Sequence, residues 1–139
     1  MLSKNRNFRF IVSVAISFVM IAGISSCKKE KDVRDDYVGS YRTNWEYTYN
    51  AQKYTGTYTL TITKSATNAN DIILGNIDGW GESARATVNG NAFTIPQQTI
   101  LDVGVSGSGT LNGNVLSFST QETLTGGGQI NVSQIATKQ

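Results

Sequence analysis

The chain has 139 residues, with 12 basic and 10 acidic side chains, a formal charge of +2, no histidine and a single cysteine. Without histidine, and with its one cysteine committed as argued below, it lacks the parts for Ser-His-Asp or Cys-His nucleophilic catalysis and for zinc or haem sites built on His or Cys. A lone cysteine allows no internal disulfide, and no basic patch interleaved with aromatics marks a nucleic-acid surface.

The chain opens with the positive residues Lys4, Arg6 and Arg9, followed from Phe10 to Gly23 by apolar and small residues. That run is shorter than the roughly 20 apolar residues of a membrane span and has the layout of a secretory leader. It ends in Ile24-Ser25-Ser26-Cys27, which resembles the bacterial lipobox: an aliphatic residue, two small residues and an obligatory cysteine. The resemblance implies removal of residues 1–26, alkylation of the Cys27 thiol by a diacylglycerol, and acylation of the freed amine, palmitate being one such chain. The expected product is a lipoprotein anchored to the outer membrane of the cell envelope, on a face left open. Each buried methylene contributes about 0.8 kcal/mol, and stable anchoring takes more than one chain. An ordinary leader before an unmodified thiol, and a retained membrane span, are the alternatives. The leader carries three positive charges and no acid, so its removal takes the chain from +2 to −1. The basic balance is a property of the leader.

From Lys28 to Asp36 nearly every residue is charged, with both signs mixed and Val33 the one apolar side chain. Such a segment buries too little to fold and is expected, with Cys27, to form a tether over residues 27–36, its nine charged-segment residues reaching roughly 30 Å when extended. Charged residues directly after the lipidated cysteine also resemble the export tags of small Bacteroidetes-type surface lipoproteins. Both readings stay open.

Residues 37–139 read as one domain dominated by period-two alternation, the pattern of strands with one buried face. Tyr41, Thr43, Trp45, Tyr47 and Tyr49 fall on one side of the first strand. Tyr54, Gly56, Tyr58, Leu60 and Ile62 alternate in the second with five threonines, which suit a wet outer face. A third strand holds Ile72 and Leu74, with Ile73 and Ile77 fitting the opposite register. Two hairpins follow, with Asn89-Gly90 and Asn112-Gly113 as predicted type I′ turns. That register sets Ala86 against Phe93, Ala84 against Ile95, Gly109 against Leu116 and Gly107 against Phe118. Pro96-Gln97-Gln98-Thr99 breaks the alternation, as a bulge or an edge does. A last pair turns at Gly126-Gly127-Gly128, with Ile130 and Val132 inward.

The pattern predicts an all-β fold: an antiparallel up-and-down meander of about eight strands and no helix, closed or nearly closed into a barrel that hides its edges. Gly39-Ser40-Tyr41 opening the first strand and the meander with its Asn-Gly turns resemble the lipocalin-like or avidin-like barrels of small Bacteroidetes-type lipoproteins. Lipocalins carry Gly-x-Trp at that opening and a helix beside the barrel; here Tyr41 takes the Trp position, and no ligand is carried over.

The most distinctive chemistry is Asp78-Gly79-Trp80-Gly81-Glu82, two acids around an aromatic on a loop with flanking glycines. It suits a cation or a sugar ring, and the bland alternative is a solvated loop whose Trp80 plugs the barrel end. Tyr41, Trp45, Tyr47, Tyr58, Phe93 and Phe118 either line a cavity or fill it, since an eight-stranded barrel is just wide enough for one small ligand. The candidate binding residues are therefore Trp80, Asp78 and Glu82 at the mouth, with Tyr41 and Trp45 further in. The expected function is non-catalytic binding of a small apolar molecule, a glycan or an envelope protein. The alternative is a structural or interaction module with a filled core. No enzyme activity, metal, cofactor or nucleic-acid partner is expected.

Overall fold

The computed structural model describes residues 29–139; the leader and Cys27 lie outside the described residues. Eight strands, β1 (Gly39–Tyr49), β2 (Gln52–Lys64), β3 (Asp71–Gly75), β4 (Ser83–Asn89), β5 (Ala92–Ile100), β6 (Val103–Asn112), β7 (Val115–Thr123) and β8 (Gln129–Lys138), pair antiparallel in chain order. β8 pairs back onto β1, so the sheet is a closed up-and-down barrel. Among the described residues no helix is long and apolar enough to cross a membrane.

Alternation sets the two faces. On β1, Tyr41 and Thr43 are buried and Trp45 and Tyr47 half-buried, while Arg42, Asn44, Glu46 and Thr48 are exposed. On β2, Leu60 and Ile62 are buried and Thr55, Thr57, Thr59, Thr61 and Thr63 face outward. Ile72 and Leu74 are the inward pair of β3, which settles the register left open by the sequence. Ile77 is also buried, because it lies beyond the strand in a 3₁₀ turn, Ile77–Gly79.

The hairpins correct the expected register by one turn position. Asn89 pairs with Ala92 and Asn112 with Val115, so the central turn residues are Gly90-Asn91 and Gly113-Asn114. Gly90 and Gly113 have φ of 61° and 59°, and neither following Asn has positive φ. A type II′ turn asks for glycine at its first central position alone. Moving the turn by one residue moves the pairing by two, so every side chain keeps its face. The partners change: Gly109 sits opposite Phe118, Leu111 opposite Leu116, and Gly107 opposite Thr120. The small-against-large principle survives at Gly109, where a Cβ would overlap the Phe118 side chain and lie 2.7 Å from the Phe93 ring.

β5 is bulged between Ile95 and Gln98, at Pro96, which has no N–H for the ladder. The backbone pairing of β4 with β5 covers Thr87–Asn89 and Ala92–Thr94. Beyond it the Gln98 side chain takes over: its Oε1 accepts from Arg85 N and its Nε2 donates to Arg85 O, each at 2.9 Å. A side-chain amide thus stands in for a missing peptide group across the seam.

One end of the barrel is plugged. Tyr37 is 1% exposed, meets Phe93 edge-on at 6.1 Å, and donates its hydroxyl to the Gly90 carbonyl at 3.1 Å. The Tyr41 hydroxyl donates to the Tyr37 carbonyl at 2.8 Å. Within the charged segment expected to remain an unfolded tether, Val33–Asp36 form a 3₁₀ turn capped by Asp32. Arg34 pairs with Asp32 at 2.8 Å and reaches the Ser65, Asn68 and Asp71 carbonyls, and Lys64 bridges Asp32 and Asp35. Charge pairing and carbonyl capture supply what apolar burial cannot.

Candidate ligand site at the open end of the barrel

The interior changes character along its axis. Near the plugged end the inward residues are apolar, Tyr41 on β1, Leu116 and Phe118 on β7 and Ala136 on β8; towards the other end the same strands continue with Thr43, with Thr120 and Glu122, and with Gln134. The segment joining β3 to β4 folds across this second end. Asn76 and Asp78 adopt left-handed φ of 60° and 53°, and Gly79 and Gly81 lie at 77° and 78°. Asn and Asp tolerate that region better than other side-chain-bearing residues.

Despite its flanking glycines, this loop is tied down. Ile77 is buried and its N–H donates to the Glu82 carbonyl at 2.9 Å. The Asn76 side chain accepts from Gly81 N at 2.7 Å and donates to the Thr59 carbonyl at 2.8 Å. The sharp backbone path turns Asp78 into the barrel. Its Oδ1 accepts hydrogen bonds from Gln134 Nε2 and from the Thr120 hydroxyl, the latter at 3.3 Å. Gln134 Nε2 also reaches Thr120 Oγ1 at 3.2 Å, and Gln134 Oε1 accepts from the Tyr58 hydroxyl. Asp78 Oδ2 and Thr43 Oγ1 are buried without a hydrogen-bond partner.

Above this polar layer lies a cavity of about 210 Å³ lined by Trp45, Tyr47, Asp78, Trp80, Glu122, Ile130 and Val132. Trp45 stacks on Tyr47 at 5.6 Å and Tyr47 on Tyr54 at 5.0 Å, forming an aromatic ladder up the β1–β2 hairpin. The indole of Trp45 lies over Gly56, where a Cβ would come within 2.5 Å of the ring. Glycine at that position gives the ring its seat. Trp80 is half-buried against the core.

Burial raises the Asp78 carboxyl to about 6, against the downward pull of the Gln134 and Thr120 hydrogen bonds. Burial, and then the charge of Asp78, raise Glu122 to about 7. Burial and the same carboxylate hold the Tyr58 hydroxyl well above its ordinary range. Isolated ionised carboxylates are costly in a low-dielectric interior, and no ion pair among the described residues involves either acid. Among the described residues no cluster of His, Cys, Asp and Glu is arranged to hold a metal ion.

Of the residues singled out by sequence, Asp78, Trp80 and Trp45 meet in this cavity. Tyr41 does not: it is wholly buried in the plugged half, with its hydroxyl committed to Tyr37. Glu82 does not line the cavity; its side chain is exposed and its carbonyl closes the loop. The aromatic series divides, with Tyr41, Phe93 and Phe118 filling the core and Trp45 and Tyr47 lining the cavity. Sequence reasoning missed Glu122, Gln134 and Thr120. The signal was there, since all three occupy inward parity on strands whose neighbours were correctly placed inward. Compared with known proteins, the sequence matches no described family and no curated relative.

Proposed function

We propose that the protein is a lipid-anchored envelope protein whose barrel binds one small ligand at its open end, without catalysis. The observation that carries this reading is the buried, unpartnered Asp78 Oδ2 beneath a cavity walled by Trp45, Tyr47 and Trp80. Buried polar atoms in folded proteins are nearly always paired; one left unpaired beside a cavity is suited to a ligand. Size supports the reading too. An apolar cavity of roughly 150 Å³ takes up benzene, so about 210 Å³ fits a single ring or a short chain. A structural or interaction module with a filled core is the second reading. It is favoured by the plugged half, where Tyr41, Leu60, Ile62 and Phe93 pack without exposure beyond 2%.

The anchor is part of the proposal. Lipidation at Cys27 would hold the chain to the bilayer a few residues before Val33–Asp36, which packs at the plugged end. The mouth would then face away from the membrane, open to ligand.

The chain's two tryptophans both line the cavity, so intrinsic fluorescence reads occupancy directly. The full chain in detergent, titrated with a panel of single-ring and short-chain metabolites, is expected to show a saturable emission change for at least one member. If no member alters emission and acrylamide reaches neither indole, the mouth is packed shut and the interaction module is the better reading.

A further inference from the structure

The cavity gathers two carboxyl groups, and the donors on its walls, the Trp45 and Trp80 indole N–H groups and the Tyr47 hydroxyl, are all uncharged. Its lining includes two carboxyl groups and no basic side chain. The donors beneath it are spent: Gln134 Nε2 on Asp78 and Thr120, the Thr120 hydroxyl on Asp78, and the Tyr58 hydroxyl on Gln134. Asp78 Oδ2 receives nothing, and among the described residues no ion pair involves the Glu122 side chain. A ligand entering here meets two carboxyl groups with no cation beside them. An anion would be repelled by both acids. The walls add a second preference: Trp45 and Trp80 line the same space, and an aromatic ring attracts a cation that comes to lie over it, Trp most strongly.

Resting on the binding reading above, we infer that the ligand is a small organic cation, an ammonium group on a single ring or short chain, with Asp78 and Glu122 as counter-ions and Trp45 and Trp80 as walls. A neutral sugar satisfies the acceptors but leaves two carboxylates uncompensated. A cation does both. The groups facing Asp78 are Glu122 from β7, Tyr58 from β2 and Tyr47 from β1, with Thr120 and Gln134 uncharged. Glu82, on the same loop, is exposed and outside the cavity. Both acids are ionised at pH 8 and largely protonated at pH 5, given values of about 6 and about 7. Cation binding is therefore strongest above neutrality and falls in acid.

The test compares benzylamine with benzyl alcohol, its uncharged isostere, on the full chain in detergent by calorimetry at pH 8 and pH 5. Benzylamine keeps its charge in both buffers. The expected result is binding at pH 8 at least tenfold tighter for benzylamine than for benzyl alcohol. Its affinity should fall at least tenfold at pH 5 and in Glu122→Gln and Asp78→Asn. Glu122→Gln serves alone if Asp78→Asn perturbs the loop, because the Glu122 side chain has no ion pair among the described residues to lose. Equal binding of the two probes, or benzylamine affinity indifferent to Glu122→Gln, overturns the cation assignment and leaves the binding reading standing. Absence of binding by both probes overturns the cation assignment. If the metabolite panel is silent as well, the binding reading falls with it.

Discussion

The Asp78→Asn substitution should stabilise the protein above neutrality and give no gain in acid. The Asp78 carboxyl is lifted from an ordinary 3.8 to about 6, a difference worth ~3 kcal/mol between its protonated and ionised forms. Because the folded value lies above the unfolded one, the folded state holds the proton more tightly. The favourable contribution is complete below about pH 4 and is lost as pH rises to about 6, after which the full deficit persists. Glu122, raised to about 7, adds a loss of the same sign and extends the window to near neutrality. It borders the cavity, so solvent screening makes its share smaller. Asparagine cannot ionise but keeps a carbonyl oxygen to accept from Gln134 and Thr120. Urea denaturation at pH 4, 6 and 8 measures the effect. The variant should match or fall slightly below the parent at pH 4 and exceed it by about 2–3 kcal/mol at pH 8. A difference independent of pH, or a variant less stable at pH 8, would refute the picture of an uncompensated buried carboxylate.

Gly109→Val should cost roughly 1–3 kcal/mol by overpacking against Phe118 and Phe93, whereas Thr57→Val on the outer face should stay within about 0.5 kcal/mol; equal shifts in denaturant midpoint would contradict the observed register. Gln98→Ala removes both hydrogen bonds to the Arg85 backbone and should cost about 1–2 kcal/mol. Faster amide exchange at Arg85 is the local readout, and unchanged exchange there would deny the side chain its bridging role. Cys27→Ala should abolish incorporation of a fatty-acid analogue and release the protein from the membrane fraction; a variant that still carries label would disprove the anchor.

Strand faces were legible because they depend on parity alone. The threonines of β2 and the alternating aromatics of β1 declare which side is wet, whatever the partner strand does. Turn positions were less secure. Asn89-Gly90 and Gly90-Asn91 are both good two-residue turns, and the choice between them rests on whether one or two residues must take positive φ. Parity survived that ambiguity because pairing moved in steps of two. The ordered Val33–Asp36 turn was not legible, since it draws on carbonyls at 65, 68 and 71, more than thirty residues away. The site was half legible. Asp78 and Trp80 stood out by composition, but the depth of an inward side chain depends on strand direction and barrel closure. Tyr41 and Trp45 share a face on β1, four residues apart, yet one belongs to the plug and the other to the mouth.

This division of the interior is consistent with the proposed binding role of the mouth. Burying one leucine such as Leu60 contributes about 1.5–3 kcal/mol, the size of the deficit at Asp78. Replacing the polar layer by apolar residues would therefore gain stability at little structural cost, since Thr43, Thr120 and Gln134 already point inward at positions where the same strands carry Tyr41, Phe118 and Ala136 nearer the plug. The net stability of a folded domain is a narrow margin. A left-handed Asp78, a glycine opposite Trp45 and an unpaired carboxylate oxygen each lower that margin, and all three converge on one cavity. On the proposed reading, stability given up at this one place is returned on binding, when a cationic ligand supplies the positive charge that the cavity lining lacks.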